Sequence, residues 1–254
     1  MRPRALGCAL LVLGLPAARL DAQEPAAPHQ SPLRYHVGLW PDVALALGMT
    51  AVAAALPSMN DTVPAHCAPC DPSDLWPIDR VAVGPYESGP GTASDITLRT
   101  TIAGGALLLV AARGGQGLAP RAEDVVVYTE SVALAQVATS ALRQAIGRSR
   151  PIMYTSAATP TVTRDALSSL PSLHATTAFA AAAACASVLH RRGELHRHSV
   201  AVGALVVLAT ATAALRVAAH KHFPTDVAAG AVLGTAVGWT IPALHPVTHP
   251  TLER

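Results

Sequence analysis

Three clusters of charged and hydroxylic residues interrupt the apolar second half of this chain. The first, LRQAIGRSRP from Leu142 to Pro151, sets Arg143 and Arg150 seven residues apart. On a continuing helix, ended by Pro151, that separation puts both guanidinium groups on nearly one face, two turns apart. Two such groups can clamp a tetrahedral oxyanion with donors that stay charged. The competing use is a basic helix end lying in lipid headgroups and answering the helix dipole.

The second cluster, LPSLHATTAF from Leu170 to Phe179, offers Ser172 as an N-cap. The free amides of the residues after it make the start of that helix an anion site. His174 falls in its first turn, where a bound phosphate would make it a proton donor. The third, LRVAAHKHFPTDVAAG from Leu215 to Gly230, puts Arg216 at the end of one helix and His222 just before Pro224. Proline suits the first position of the next helix. Asp226, four residues beyond His222, is placed to turn back to the imidazole. A carboxylate on one ring nitrogen leaves the other free and more basic, which makes a nucleophile. His220 and Lys221 read as solvated neighbours. Taken alone, the whole stretch also fits a polar turn between two helices at a membrane surface.

The elements that must carry these residues follow from composition. Of 254 residues, 51% are hydrophobic, 13% charged and 4% aromatic, against roughly a quarter charged in soluble domains. The apolar content is mostly Ala, Val, Leu and Gly, which disfavours strands and suits small-residue helix packing in a bilayer. The expected fold is all-α: a multi-helix bundle embedded in a membrane, with its active site at one end. A formal net charge of +2, with no basic face, gives no footprint for nucleic acid. Nothing in the pattern dictates an oligomer.

Helices are expected over Val43–Leu56, Ile102–Ala112, Val125–Leu142, Ala175–Leu189, Val200–Val217 and Val227–Leu244. Several are shorter than the ~20 residues that comfortably cross a bilayer. Val43–Leu56 follows Leu39-Trp40-Pro41-Asp42 and is expected not to span. Residues 1–22, with Arg2 and Arg4 before an apolar run, read as a secretory signal or, alternatively, an uncleaved anchor. After them come a linker over 23–37, a short helix and Pro-rich outer loop over 38–96, core helices over 97–246 and a tail over 247–254. Cys67 and Cys70 in the outer loop suggest a short-range disulfide, and Cys185 reads as a packing residue. The arginine-bearing connections at 113–121 and 190–198 point to the cytoplasm. The three clusters then lie together on the outer face. Glu130, a carboxylate inside an apolar helix, calls for a partner, for which Arg99 is the candidate.

The combination Arg143-x6-Arg150-Pro151, Pro171-Ser172-Leu173-His174 and Arg216-x5-His222-x3-Asp226 resembles the three-part signature of the type 2 phosphatidic acid phosphatase superfamily. That superfamily also holds bacterial acid phosphatases and vanadium haloperoxidases. The resemblance covers about residues 97–244. It implies that His222 attacks phosphorus with Asp226 orienting it, and that His174 protonates the leaving oxygen. Arg143, Arg150, Arg216, Ser172 and the amide of Leu173 would hold the phosphoryl oxygens, with no metal or other cofactor. The family usually has Lys at 143, Gly at 173 and Ser at 215; here stand Arg143, Leu173 and Leu215. Every charged role is kept, while a side chain is added beside the phosphate and a hydroxyl is lost.

The implied protein is a phosphoric monoester or diphosphate hydrolase acting on a lipid phosphate or isoprenoid diphosphate. Its expected place is a bacterial-type inner membrane, with the site facing the periplasm or exterior. The alternatives are a soluble periplasmic acid phosphatase, a vanadium haloperoxidase and a non-catalytic phosphate- or phospholipid-binding membrane protein.

Overall fold

The computed structural model describes residues 55–248 continuously, preceded by Arg34, Tyr35, Asp42, Ala44, Leu45, Gly48, Met49, Ala51 and Val52. Residues 1–22, read as a signal or anchor, lie outside the described residues. A helical turn α1 (Pro77–Arg80) leads into five long helices: α2 (Ser88–Ala112), α3 (Leu118–Ile146), α4 (Leu173–Arg191), α5 (Ser199–Ala218) and α6 (Pro224–Leu244). All five are long and apolar enough to cross a membrane, and the chain is a membrane protein.

Each long helix outruns the apolar stretch that announces it. The largest gain is in α2, which starts at Ser88 rather than Ile102 and takes in residues read as loop. Pro90 does not stop it, because a proline in the first turn lacks only an N–H that has no intrahelical partner there. At the other extreme, α3 ends at Gly147, whose φ of 67° closes the helix in the left-handed region.

α4 is the hub and packs against each of α2, α3, α5 and α6. Its buried face is alanine: Ala175, Ala178, Ala180, Ala181, Ala182 and Ala184 are at most 1% exposed. Against it α6 lays Gly230, Gly234 and Gly238, one per turn. A Cβ at Gly230 would come within 2.8 Å of the Ser172 carbonyl, and one at Gly234 or Gly238 would collide with the carbonyls of Thr176 and Ala180. Small side chains on both faces thus let two helix backbones touch, the attraction available where lipid removes any hydrophobic drive between helices. Hydroxyls in the helices bond back to carbonyls four residues earlier, as Ser131, Thr139, Thr176 and Thr212 do, so these groups are satisfied within the apolar packing. Near the α2–α3 turn, Asp124 accepts from Arg113 Nε and Nη2 (both 2.7 Å) and from Arg192 Nη1 (2.9 Å), buried charges held by pairing.

Two small antiparallel ladders mark the two ends of the bundle. β1 (Arg34–Tyr35) pairs with β4 (Val247–Thr248) beyond the end of α6, so segments read as linker and tail are joined. β2 (Thr62–Pro64) pairs with β3 (Thr161–Thr163) at the opposite end, where Cys67 and Cys70 form a disulfide. Asp42 lies within 4.0 Å of His245 at the first end, and Met59 accepts from Asp165 N at the second. The chain between them therefore runs the length of the bundle. The expectation that 43–56 does not traverse is not met: Asp42 and Met59 stand at opposite ends of the bundle, with helical residues described from Asp42 to Ala55. Cys185 is buried in α4 as a packing residue.

The glycine contacts predict a contrast. Gly234→Ala should destabilise the detergent-solubilised protein by about 1–3 kcal/mol through overpacking, whereas Gly203→Ala, facing open space, should be neutral or stabilise by up to about 1 kcal/mol. Equal thermal midpoints for the two variants would contradict backbone contact between α4 and α6.

Candidate active site

The last turn of α3, the 147–172 connection, the start of α4, the end of α5 and the α5–α6 turn converge at one end of the bundle. Arg143 and Arg150 meet there, but not on one helical face. The helix stops at Gly147, and Arg150 lies beyond it in extended backbone, φ −77° and ψ 162°. Both guanidinium groups close on one oxygen instead, Asp165 Oδ1, from Arg143 Nη2 at 3.0 Å and Arg150 Nη2 at 2.8 Å. Backbone carbonyls fix their other edges: Arg143 Nε donates to Ser168 O (2.7 Å), Arg150 Nε to Asp165 O (2.7 Å) and Arg150 Nη1 to Lys221 O (3.0 Å). Burial works against the charge of Asp165, but Arg150, Arg143 and Lys221 outweigh it and hold the carboxyl below the ordinary range.

His222 is buried, at 1% exposure. Its Nδ1 lies 2.8 Å from the carbonyl of Ser169 and 3.7 Å from Asp226 Oδ2, beyond hydrogen-bond reach. The expected direct His222–Asp226 bond is therefore replaced. The carbonyl takes the Nδ1 proton, which leaves Nε2 as the free, unprotonated nitrogen. Burial, and then the charge of Arg150, push the imidazole down to about 3, against the pull of Asp226. A neutral ring is the nucleophilic form, so no separate base is needed to prepare it.

Asp226 acts one bond further out. Its Oδ2 accepts from Ser169 Oγ (2.5 Å) and Phe223 N (2.9 Å), and its Oδ1 from Arg148 Nη1 (2.5 Å). It thereby fixes the residue whose carbonyl holds His222 and caps the helix that follows His222. Arg148 reaches on with Nη2 to Asp79 Oδ2 (2.8 Å), stacks over Phe223 at 4.4 Å, and so ties in α1. Asp79 also holds Thr225 through N and Oγ1.

Ser172 occupies the N-cap position of α4 without capping it: no side-chain bond is made, and its buried Oγ has no partner among the described residues. Leu173 opens the helix, where first-turn amides have no intrahelical acceptor. Arg216 donates from Nη1 to Ser94 Oγ (3.2 Å), while its buried Nε has no partner among the described residues. His174 Nε2 meets Asp95 Oδ1 at 2.8 Å, and Arg216 Nη1 lies 3.8 Å from the same oxygen. Leu215, the residue before Arg216, is partly buried.

His220 and Lys221 are bound rather than solvated. His220, at φ 54°, bonds Ala82 O at 2.9 Å, and Lys221 Nζ stacks 4.1 Å over Tyr86. Both hold the outer segment against the site. Glu130 takes no part here and pairs with His245 at 3.1 Å, not with exposed Arg99. Sequence reading passed over Asp79, Asp95, Arg148, Asp165 and Ser169. Of these only Arg148 carried a signal, a second arginine two residues before Arg150.

Removing Arg148 strands two fully buried carboxylates. Arg148→Ala should destabilise the protein by about 3 kcal/mol and lower kcat, while Arg148→Lys, which cannot bridge both carboxylates, should lose roughly half as much. Unfolding of the solubilised variants measures this, and an unchanged midpoint for Arg148→Ala would contradict the bridge.

A family model described as the PAP2 superfamily matches residues 124–249, a span that holds the first cluster, the second and the third. No curated protein and no solved structure matches the chain. The matched span carries the arginine pair, the serine and histidine at the start of α4, and His222 with Asp226, gathered at one end of the bundle. The chain belongs to the PAP2 superfamily.

Proposed function

We propose that the chain is a metal-independent phosphatase that hydrolyses a lipid phosphate or isoprenoid diphosphate through a phosphohistidine on His222. Membership of the superfamily supports phosphatase-type hydrolysis. The observation that carries the finer reading is that two buried donors at the site, Ser172 Oγ and Arg216 Nε, have no partner among the described residues. Buried donors left unpaired cost free energy, and a bound phosphoryl group would satisfy both.

In the proposed reaction, His222 Nε2 attacks phosphorus in line with the leaving oxygen, forming the N–P bond as the P–O bond breaks. His174 gives its proton to that oxygen, and Asp95, bonded to the same ring, balances the imidazolium and orients it. In the second half, His174 takes a proton from water as its oxygen attacks phosphorus and the N–P bond breaks. Arg143, Arg150, Arg216, Ser172 and the first amides of α4 hold the equatorial oxygens, whose charge is the main burden of phosphoryl transfer. Three guanidinium groups supply that stabilisation without a metal ion.

A lipid-borne substrate is favoured by the surface beside the site. Trp76, Ile78 and Val81, on and around α1, are exposed, and a cavity of about 330 Å³ runs past Trp76, Arg148 and Tyr154. Exposed aromatic and aliphatic side chains at a helix-bundle end suit the headgroup region of a bilayer. The arginine-rich α2–α3 and α4–α5 connections lie at the other end, and the positive-inside tendency then favours a site facing the periplasm or exterior of a bacterial-type inner membrane.

Phosphate release from lipid phosphates, isoprenoid diphosphates and soluble monoesters, assayed in EDTA, tests the proposal. The wild type should turn over at least one of the lipid substrates, and His222→Ala should abolish it. His174→Ala should lower kcat by about 10²–10⁴-fold on alkyl esters and much less on p-nitrophenyl phosphate, whose leaving group needs no proton. Release that survives in His222→Ala, or depends on added metal, would overturn the mechanism.

A further inference from the structure

At the other end of the bundle, three potential ligands from three distant parts of the chain converge. Glu130, midway along α3, is 4% exposed. Its Oε2 lies 3.1 Å from His245 Nε2, just beyond α6, and Asp42 Oδ1 lies 4.0 Å from the same nitrogen. One ligand atom from each of the three falls within 4.8 Å of the others. Neither oxygen of Glu130, nor Asp42 Oδ2, has a hydrogen-bond partner among the described residues.

The imidazole is preset for coordination. His245 Nδ1 lies 3.0 Å from the carbonyl of Ile241, which takes the Nδ1 proton and turns the Nε2 lone pair toward the carboxylates, the usual support of a metal-bound histidine. An unprotonated Nε2 facing a carboxylate oxygen at 3.1 Å needs a cation between them. A proton would leave the group with one uncompensated negative charge, since Arg191 donates to the His245 carbonyl (3.2 Å) and to neither carboxylate. A divalent ion balances two carboxylates and a neutral imidazole completely.

We propose that Asp42, Glu130 and His245 bind one divalent transition-metal cation, with Zn²⁺ or Mn²⁺ matching the mixed nitrogen and oxygen donors. The ion is structural. It joins the segment before the core, the middle of α3 and the end of α6 beside the β1–β4 ladder. Glu130 stands 13 residues before Arg143 on one helix, ~20 Å at the helical rise, so the metal does not reach the phosphate site, and the proposed phosphatase chemistry stays metal-free.

The test uses the full chain, solubilised in detergent, stripped with EDTA and dialysed against Zn²⁺ or Mn²⁺ before metal analysis. The wild type and His222→Ala should each retain about one equivalent, and metal should raise the wild-type thermal midpoint. Glu130→Gln and His245→Ala should lose both effects. Asp42→Asn, at the least buried ligand, repeats the comparison without disturbing the core. No stoichiometric metal in the wild type, or metal retained by folded Glu130→Gln or Asp42→Asn, would overturn the site.

Discussion

The buried carboxylate of Asp226 is the constraint on which the phosphate end of the molecule rests. Inside an apolar bundle such a charge persists only if its lone pairs are filled, and three donors fill them: Ser169 and Arg148 from the two ends of the connection, and Phe223 N from its own helix start. Satisfying one charge therefore fixes the connection, the α5–α6 turn and, through Arg148 and Asp79, the outer segment. The orientation of His222 follows, because the Ser169 carbonyl that holds its Nδ1 is itself held by Asp226.

The second requirement is that helices α4 and α6 touch. Ser172 and His174 begin one, while His222 and Asp226 straddle the start of the other. The Ser172 amide bonds directly to the Asp226 carbonyl at 3.0 Å. Glycine on α6 and alanine on α4 allow that approach, so the unusual composition of the chain and the placement of its reacting groups have one cause. Bulkier side chains would push the starts of the two helices apart, and His174 away from His222.

The helices and the three clusters were legible because each leaves a local mark: a long apolar run, a proline at a helix start, or an arginine spacing. What escaped was set by contacts between distant segments. Asp95 was read as loop because Pro90 suggested a break that a first turn tolerates. Asp79 and Asp165 matter through distant partners, among them arginines 69 and 15 or more residues away, and no periodicity connects them. The arginine pair was expected together for a helical reason, yet a left-handed Gly147 and a shared carboxylate bring the two side chains together instead. For Asp226, the spacing of four correctly put it near His222; that Ser169 stands between them could come only from the fold of the connection.

The bundle treats its carboxylates in two ways. Asp226 and Asp124 have arginines, whereas Glu130 and Asp42 face an imidazole and each other. Asp226 and its donors build a rigid frame around a site left short of an anion. The central claim is that His222 is the nucleophile of that site. It is tested most directly by rapid quench with a ³²P-labelled substrate and mapping of the labelled peptide. The account predicts an acid-labile, alkali-stable phosphoryl group on His222 that forms and decays at the rate of turnover. Turnover with no phosphoenzyme, or label on another residue, would contradict it.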